Sequence, residues 1–228
     1  MIEFLFLDLD DTILDFHKAE RIALDKTFRQ FDIEPTESLL TVYHDINIRC
    51  WQRLEEGTMT RQEVVVGRFE LLFSRLGLCA EPPAFSKAYE HNLSQGHFFL
   101  PGALEAVQRL SKRYRLFLAS NGTASVQKGR MSSANLYPYF EQVFVSQDIG
   151  YNKPAREYFQ GCFDRIPDFD PQKAMIVGDS LTSDILGGIR AGIRTCWVNP
   201  AHLPPRADIP ADHQIENIGQ LEQLLEEL

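Results

Sequence analysis

Three carboxylates, Asp8, Asp10 and Asp11, follow directly on the apolar run Phe4-Leu5-Phe6-Leu7. Anions packed this closely repel one another, and a divalent cation is the usual way to offset that cost. Mg²⁺ accepts one or two carboxylates while keeping several waters. Asp8 and Asp10 are separated by one residue, so a bend after the apolar run can aim both into one pocket. There one carboxylate can attack phosphorus while the other trades a proton with the leaving oxygen. Taken alone, the cluster also reads as an acidic turn or a helix cap.

A second apolar run, Met175-Ile176-Val177, ends in Gly178-Asp179-Ser180, and Asp184 follows near the start of the next helical stretch. Asp179 can complete a metal site, with Asp184 supporting it from behind; in isolation, a turn closed by an aspartate cap explains the same residues. A third run, residues 116–119, leads into Ser120-Asn121-Gly122. A hydroxyl, an amide side chain and backbone N–H groups at a helix start can receive an anion. Lys153 precedes Pro154, which suits a first helical position, and leaves the lysine on a loop where it can neutralise phosphate. Each of these features alone is ordinary. A nucleophile, a hydroxyl, a cation and metal-type carboxylates in one chain point to phosphoryl chemistry once the elements bring them together.

Those elements are apolar runs expected as strands over residues 2–7, 116–119, 143–145, 175–177 and 195–198. They alternate with helical spacing over 102–112, 124–136, 155–166 and 182–191, the pattern of a parallel sheet covered on both faces. In such a sheet ligands bind at the carboxyl ends of the strands, where Asp8, Ser120 and Asp179 all fall. Residues 16–96 break the alternation with apolar residues at helical intervals, so an all-helical domain is expected as an insertion. The core is expected over 1–15 and 97–228. Thr60 and Glu63 form a capping box opening the third inserted helix, and Pro82-Pro83 divide it from the fourth. The proline-bearing tail, with Pro204, Pro205 and Pro210, is expected as an irregular connection to a last helix over 221–228.

Composition narrows the partners. With 44% hydrophobic residues a packed interior is assured, and a net charge of -9 opposes binding to nucleic acid polymers or anionic membranes. No apolar run reaches membrane-spanning length, and the N-terminal stretch is too short for a signal peptide, so a cytoplasmic location is expected. Cys50, Cys79, Cys162 and Cys196 form no C-x-x-C pair and are expected as buried free thiols.

In order, Asp8-x-Asp10-x-Thr12, Ser120-Asn121-Gly122, Lys153-Pro154 and Gly178-Asp179-Ser180-x-x-x-Asp184 resemble the four motifs of the haloacid dehalogenase (HAD) superfamily. The resemblance implies an α/β, Rossmann-like core of parallel strands (the HAD fold) with a helical cap inserted between the first two motifs. The 112 positions from Asp8 to Ser120 leave room for it. By position it implies Asp8 as nucleophile and Asp10 as acid/base residue. Ser120, Asn121 and Lys153 would bind phosphate, and Mg²⁺ would be held by Asp8, the Asp10 backbone carbonyl and Asp179, with Asp184 and Ser180 behind. Segments from Asn121 through Arg130, Trp51 to Gly57, Gly67 to Glu70, and Asp184 to Ile189 are similar to the pyrimidine nucleotidase branch. That likeness implies a nucleoside 5'-monophosphate as the small phosphate ester.

Rivals on the same core are a phosphoglycolate or sugar-phosphate phosphatase and a sugar phosphomutase; a non-catalytic phospholigand-binding protein stands in a different class. Asp10 argues against a dehalogenase, because the resemblance implies that dehalogenases lack a second acid. In the insertion, Tyr43 and Trp51 can stack on a base, though aromatic residues at helical spacing usually form core. Gly57 eases a turn that can edge a lid, Asp11 reads as an exposed helix-start residue, and His97-Phe98-Phe99 read as packing at the return from the insertion. Whether the chain is a monomer or a dimer is open at this level.

Overall fold

The computed structural model describes residues 1–228. By its contacts the chain divides into two compact units, Met1–Phe16 with His97–Leu228, and His17–Gly96. The first strand, β1 (Phe4–Leu7), is buried at every position. Its side chains alternate between two cores. Leu5 and Leu7 join Leu116, Leu118, Val177 and Leu221, whereas Phe4 and Phe6 join Phe117, Phe144 and Phe159 on the other face. Burial of both faces is what a continuous apolar run means in a parallel sheet.

The helical unit follows, with α1 (Phe16–Gln30), α2 (Glu37–Glu55), a π-helical turn (Glu63–Gly67) running into α3 (Arg68–Leu76), and α4 (Pro82–Leu93). Thr60 and Glu63 cap reciprocally: Thr60 N donates to Glu63 Oε2 at 2.7 Å and Glu63 N to Thr60 Oγ1 at 3.3 Å. Pro82 and Pro83 do more than divide two helices, since they occupy the first turn of α4, where missing N–H groups cost nothing. The interior is aromatic. Phe69 lies 4.9 Å from Phe85, and Tyr43 stacks on Phe69 at 5.5 Å. Offset aromatic contacts of this kind contribute about 0.5–1.5 kcal/mol each beyond their buried area. Tyr43 is therefore core and is not a base-stacking surface.

The chain then forms α5 (Ala103–Leu110), β2 (Arg115–Ser120), α6 (Ala124–Ser133), β3 (Gln142–Val145), α7 (Ser146–Ile149) and α8 (Arg156–Phe163). After β4 (Ala174–Gly178), a π-helical turn (Leu181–Ile185) leads into α9 (Leu186–Ala191), then β5 (Arg194–Val198), β6 (His213–Ile215) and α10 (Leu221–Glu226). All six strands are parallel, in the order β3-β2-β1-β4-β5-β6. The sixth strand corrects the expectation of an irregular tail. Three residues, His-Gln-Ile, carry no readable alternation, yet they pair with Cys196, Trp197 and Val198 at the sheet edge.

The register sets the site. Leu7 pairs with Leu118 on one side and Val177 on the other, so Asp8, Ser120 and Asp179 leave the sheet at the same edge. All four cysteines are free; Cys50, Cys162 and Cys196 are buried, whereas Cys79, just after α3, is exposed, contrary to expectation. No helix is long and apolar enough to cross a membrane.

Candidate active site

Lys153 is the hub of the sheet edge. It is 1% exposed, and its Nζ donates at 2.6 Å to each of Asp8 Oδ1, Asp184 Oδ1 and the Ala119 carbonyl. An ammonium has three N–H groups, and all three are used. Burial alone would lower the lysine pKa, but Asp184 and Asp8 override it and hold the group charged, above the ordinary lysine range. For Lys153 to hold a phosphoryl oxygen, one donor must be exchanged, and Asp8 is the more open of its two carboxylate acceptors.

Asp8, 7% exposed, is pushed up to about 8 by desolvation. Lys153 opposes that rise, and Asp184 and Asp10 add to it. Asp179 is more open than Asp8 and Asp184. Its carboxyl is held well above the ordinary range by desolvation, then by Asp8, Asp184 and Asp11. One carboxylate oxygen from each of Asp8, Asp179 and Asp184 lies within 4.8 Å of the other two. Hard, all-oxygen donors with a shortage of positive charge fit a dication such as Mg²⁺. Asp184 is the least suited to ligate directly. Its Oδ1 is on Lys153, and its Oδ2 accepts from Ser180 N at 3.2 Å. Asp8 and Asp179 are the carboxylates left to face an ion.

Gly178 permits this packing. A Cβ there would stand 2.2 Å from Asp184 Oδ2, inside any tolerable contact. Ser180 caps the turn that carries Asp184, its Oγ accepting from Ser183 N at 3.2 Å. It supports Asp184 through its backbone N–H as well.

Asp10 is held by residues that the strand-end reading passed over. Arg130 NH1 donates to Asp10 Oδ1, and Gln127 Nε2 donates to Oδ2 at 2.7 Å. Both come from α6, one turn apart, and both are buried. Their signal in the sequence is faint: two polar residues at i, i+3 on the inner face of a helix. Gln127 Nε2 also donates to Ser120 Oγ at 2.8 Å, as does Gly122 N at 3.1 Å. With two donors on its oxygen, the Ser120 hydroxyl has its own proton left to give, which suits an anionic oxygen.

The Asn121 side chain is turned to the Lys153 loop. Its Nδ2 donates to the Lys153 carbonyl at 2.8 Å and to Ser183 Oγ at 3.2 Å, and its Oδ1 accepts from Lys153 N at 2.8 Å. Both ends of the amide position the Lys153 loop. Asp11 is also corrected. It starts α1, accepting from Phe16 N at 2.9 Å, but it is half-buried and has φ of 52°. At the return from the helical unit, Phe98 O accepts from Asp15 N at 2.8 Å, and Phe99 bridges Leu14 and packs against the core as expected, whereas His97 is exposed. Gly57 has φ of 72°, the left-handed turn its position requires. Trp51 donates from Nε1 to Asn47 Oδ1 at 3.1 Å inside the helical unit.

A six-stranded parallel sheet thus brings acidic residues from the ends of β1 and β4 to one edge, with a buried lysine paired to Asp8 and Asp184 between them. The family model for haloacid dehalogenase-like hydrolases matches residues 5–198, and the chain belongs to that family. The chain is 39% identical to the HAD-hydrolase YfnB of Bacillus subtilis (strain 168), over 97% of this chain and 94% of YfnB. The crystal structure of YfnB bound to magnesium superposes with a TM-score of 0.93, covering 98% of each chain. The pyrimidine 5'-nucleotidase PynA of Streptococcus pneumoniae (strain ATCC BAA-255 / R6) is 34% identical over 96% of this chain and 93% of its own. The pyrimidine 5'-nucleotidase YjjG of Escherichia coli (strain K12) is 28% identical over 98% and 97%.

Proposed function

We propose that this chain is a Mg²⁺-dependent phosphatase of small phosphate monoesters, with Asp8 as nucleophile and pyrimidine nucleoside 5'-monophosphates as preferred substrates. The observation that carries the reading is the second carboxylate, Asp10, held by Arg130 and Gln127 beside the first. A lone aspartate can displace a leaving group. A second one, oriented separately, can also hydrolyse the resulting acyl phosphate.

Asp8 attacks phosphorus through one carboxylate oxygen as the ester P–O bond breaks, and Asp10 gives its proton to the departing oxygen. The aspartyl-phosphate on Asp8 is then opened by water. Asp10 takes the water's proton, the new P–O bond forms, and the Asp8–phosphate bond breaks to release inorganic phosphate. Ser120 donates its hydroxyl proton to a phosphoryl oxygen, and Lys153 neutralises another while Asp184 keeps its ammonium in place. Asp8, Asp179 and the Asp10 backbone carbonyl would hold Mg²⁺, which when bound would supply positive charge beside the phosphoryl oxygens. Names shared by two relatives across nearly their whole length support the pyrimidine nucleotide preference.

The test is phosphate release from UMP, dUMP, dTMP, AMP, GMP, phosphoglycolate and several sugar phosphates, with Mg²⁺ or with EDTA. The expected result is Mg²⁺-dependent release with the highest kcat/KM on a pyrimidine nucleotide. Metal-dependent release led by a sugar phosphate or phosphoglycolate would overturn the substrate assignment and leave the chemistry. Undiminished release in EDTA would overturn the chemistry.

A further inference from the structure

A second group of metal-type donors converges within the helical unit. His17 and Glu20 stand three residues apart on α1 and share one face, and His44 on α2 completes the group. One ligand atom from each lies within 4.8 Å of the other two. The two imidazole centroids are 5.7 Å apart, and His44 Nδ1 is 3.8 Å from Glu20 Oε2. That last distance is too long for a hydrogen bond. It is close to the separation of two ligands on one ion, since bonds of about 2.0–2.2 Å in tetrahedral geometry put ligand atoms ~3.4 Å apart.

Glu20 is held as a ligating carboxylate would be. It is 5% exposed, and its Oε1 accepts from Asn47 Nδ2 at 2.9 Å. Asn47 is fixed in turn, its Oδ1 accepting from Trp51 Nε1 at 3.1 Å and Arg68 NH1 at 2.9 Å. This chain leaves Oε2 turned toward His44. Hydrogen bonds that orient a ligand from behind accompany metal sites and account for much of their affinity. Desolvation raises the Glu20 carboxyl, against Arg68, His44 and His17, and a cation at Oε2 would relieve that cost. A recess of about 290 Å³, lined in part by His17, Arg21, Thr41 and His44, adjoins the group and leaves space for water or a small ligand on the ion.

Two imidazoles with one carboxylate suit zinc-class transition metals, whereas Mg²⁺ prefers oxygen alone. We propose that His17, Glu20 and His44 bind one zinc-class dication, with a coordination position open to the recess.

The test uses the untagged full chain in saturating Mg²⁺, which occupies the carboxylate cluster, with Zn²⁺ titrated by calorimetry. The expected result is one Zn²⁺ per chain, at least tenfold weaker in His17→Ala and in His44→Ala, and unchanged in Asp179→Asn. His17 is exposed, so His17→Ala keeps the test decisive should His44→Ala unfold. Co²⁺ in place of Zn²⁺ should give visible d–d bands that disappear in the same variants. No Zn²⁺ binding by the wild type would overturn the proposal. So would binding that the His17 variant retains, or binding lost only in Asp179→Asn.

Discussion

Arg130, with no solvent exposure, donates to the carboxylate of Asp10 from the second turn of α6. The contact joins a residue after β1 to one after β2, 120 positions apart in the chain. It turns Asp10 from a surface acid into an oriented one.

Replacing Arg130 by Leu should lower kcat about 10²-fold with KM little changed, because proton transfer by a positioned group is worth about 10²–10⁴-fold. Lys at this position keeps charge but not the planar fork, and should restore only part of the loss. Steady-state kinetics on one substrate checks both. A change confined to KM would mean that Arg130 serves substrate binding instead.

Gly178→Ala should destabilise the fold and slow the reaction together. The new Cβ would fall 2.2 Å from Asp184 Oδ2, so Asp184 must move and Lys153 loses an anchor. Overpacking of this kind costs about 1–3 kcal/mol. Thermal melting should show the loss in Tm, and phosphate release a fall in kcat. An alanine variant with wild-type Tm and turnover would contradict the packing described.

Asp8 gives a pH prediction. Its folded pKa of about 8 lies above the ordinary 3.8, so the folded chain binds this proton more tightly than the unfolded one. The stability contributed by protonated Asp8 is complete below about 4 and is lost as pH rises through about 8. In EDTA, Asp8→Asn should therefore melt higher than wild type near pH 8, by about 2–4 °C for each kcal/mol relieved, with a smaller gap near pH 5. Melting curves at the two pH values decide it, and a variant less stable than wild type at the higher pH would count against it.

Much of this architecture is legible in the chain. Residues 2–7, 116–119 and 175–177 are runs, mostly apolar, that lead into chemistry-bearing residues, and a parallel sheet leaves little choice about where those ends meet. Two kinds of feature escaped. β6 is too short and too polar to announce itself, and only pairing with β5 makes it a strand. Gln127 and Arg130 sit inside a helix, so their importance depends on a packing angle that no local pattern encodes. The part Asn121 plays in holding the Lys153 loop is equally invisible locally, because it depends on a segment 32 positions away.

Asp179 should set the metal requirement. Its carboxylate and that of Asp8 are the two not consumed by both Lys153 and the Ser180 backbone, so Asp179→Asn should raise the Mg²⁺ needed for half-maximal activity about 10–100-fold. A Mg²⁺ titration at saturating substrate measures this. An unchanged requirement would place the ion elsewhere.

The most direct measurement uses Asp10→Asn with para-nitrophenyl phosphate, whose leaving group needs no proton. A burst of nitrophenol and a slow second step are expected, because the base for hydrolysis is gone. Acid-quenched peptide mass spectrometry should then find one phosphoryl group on Asp8. Phosphate on another residue, or steady turnover by this variant with no phosphorylated protein, would contradict Asp8 as the nucleophile.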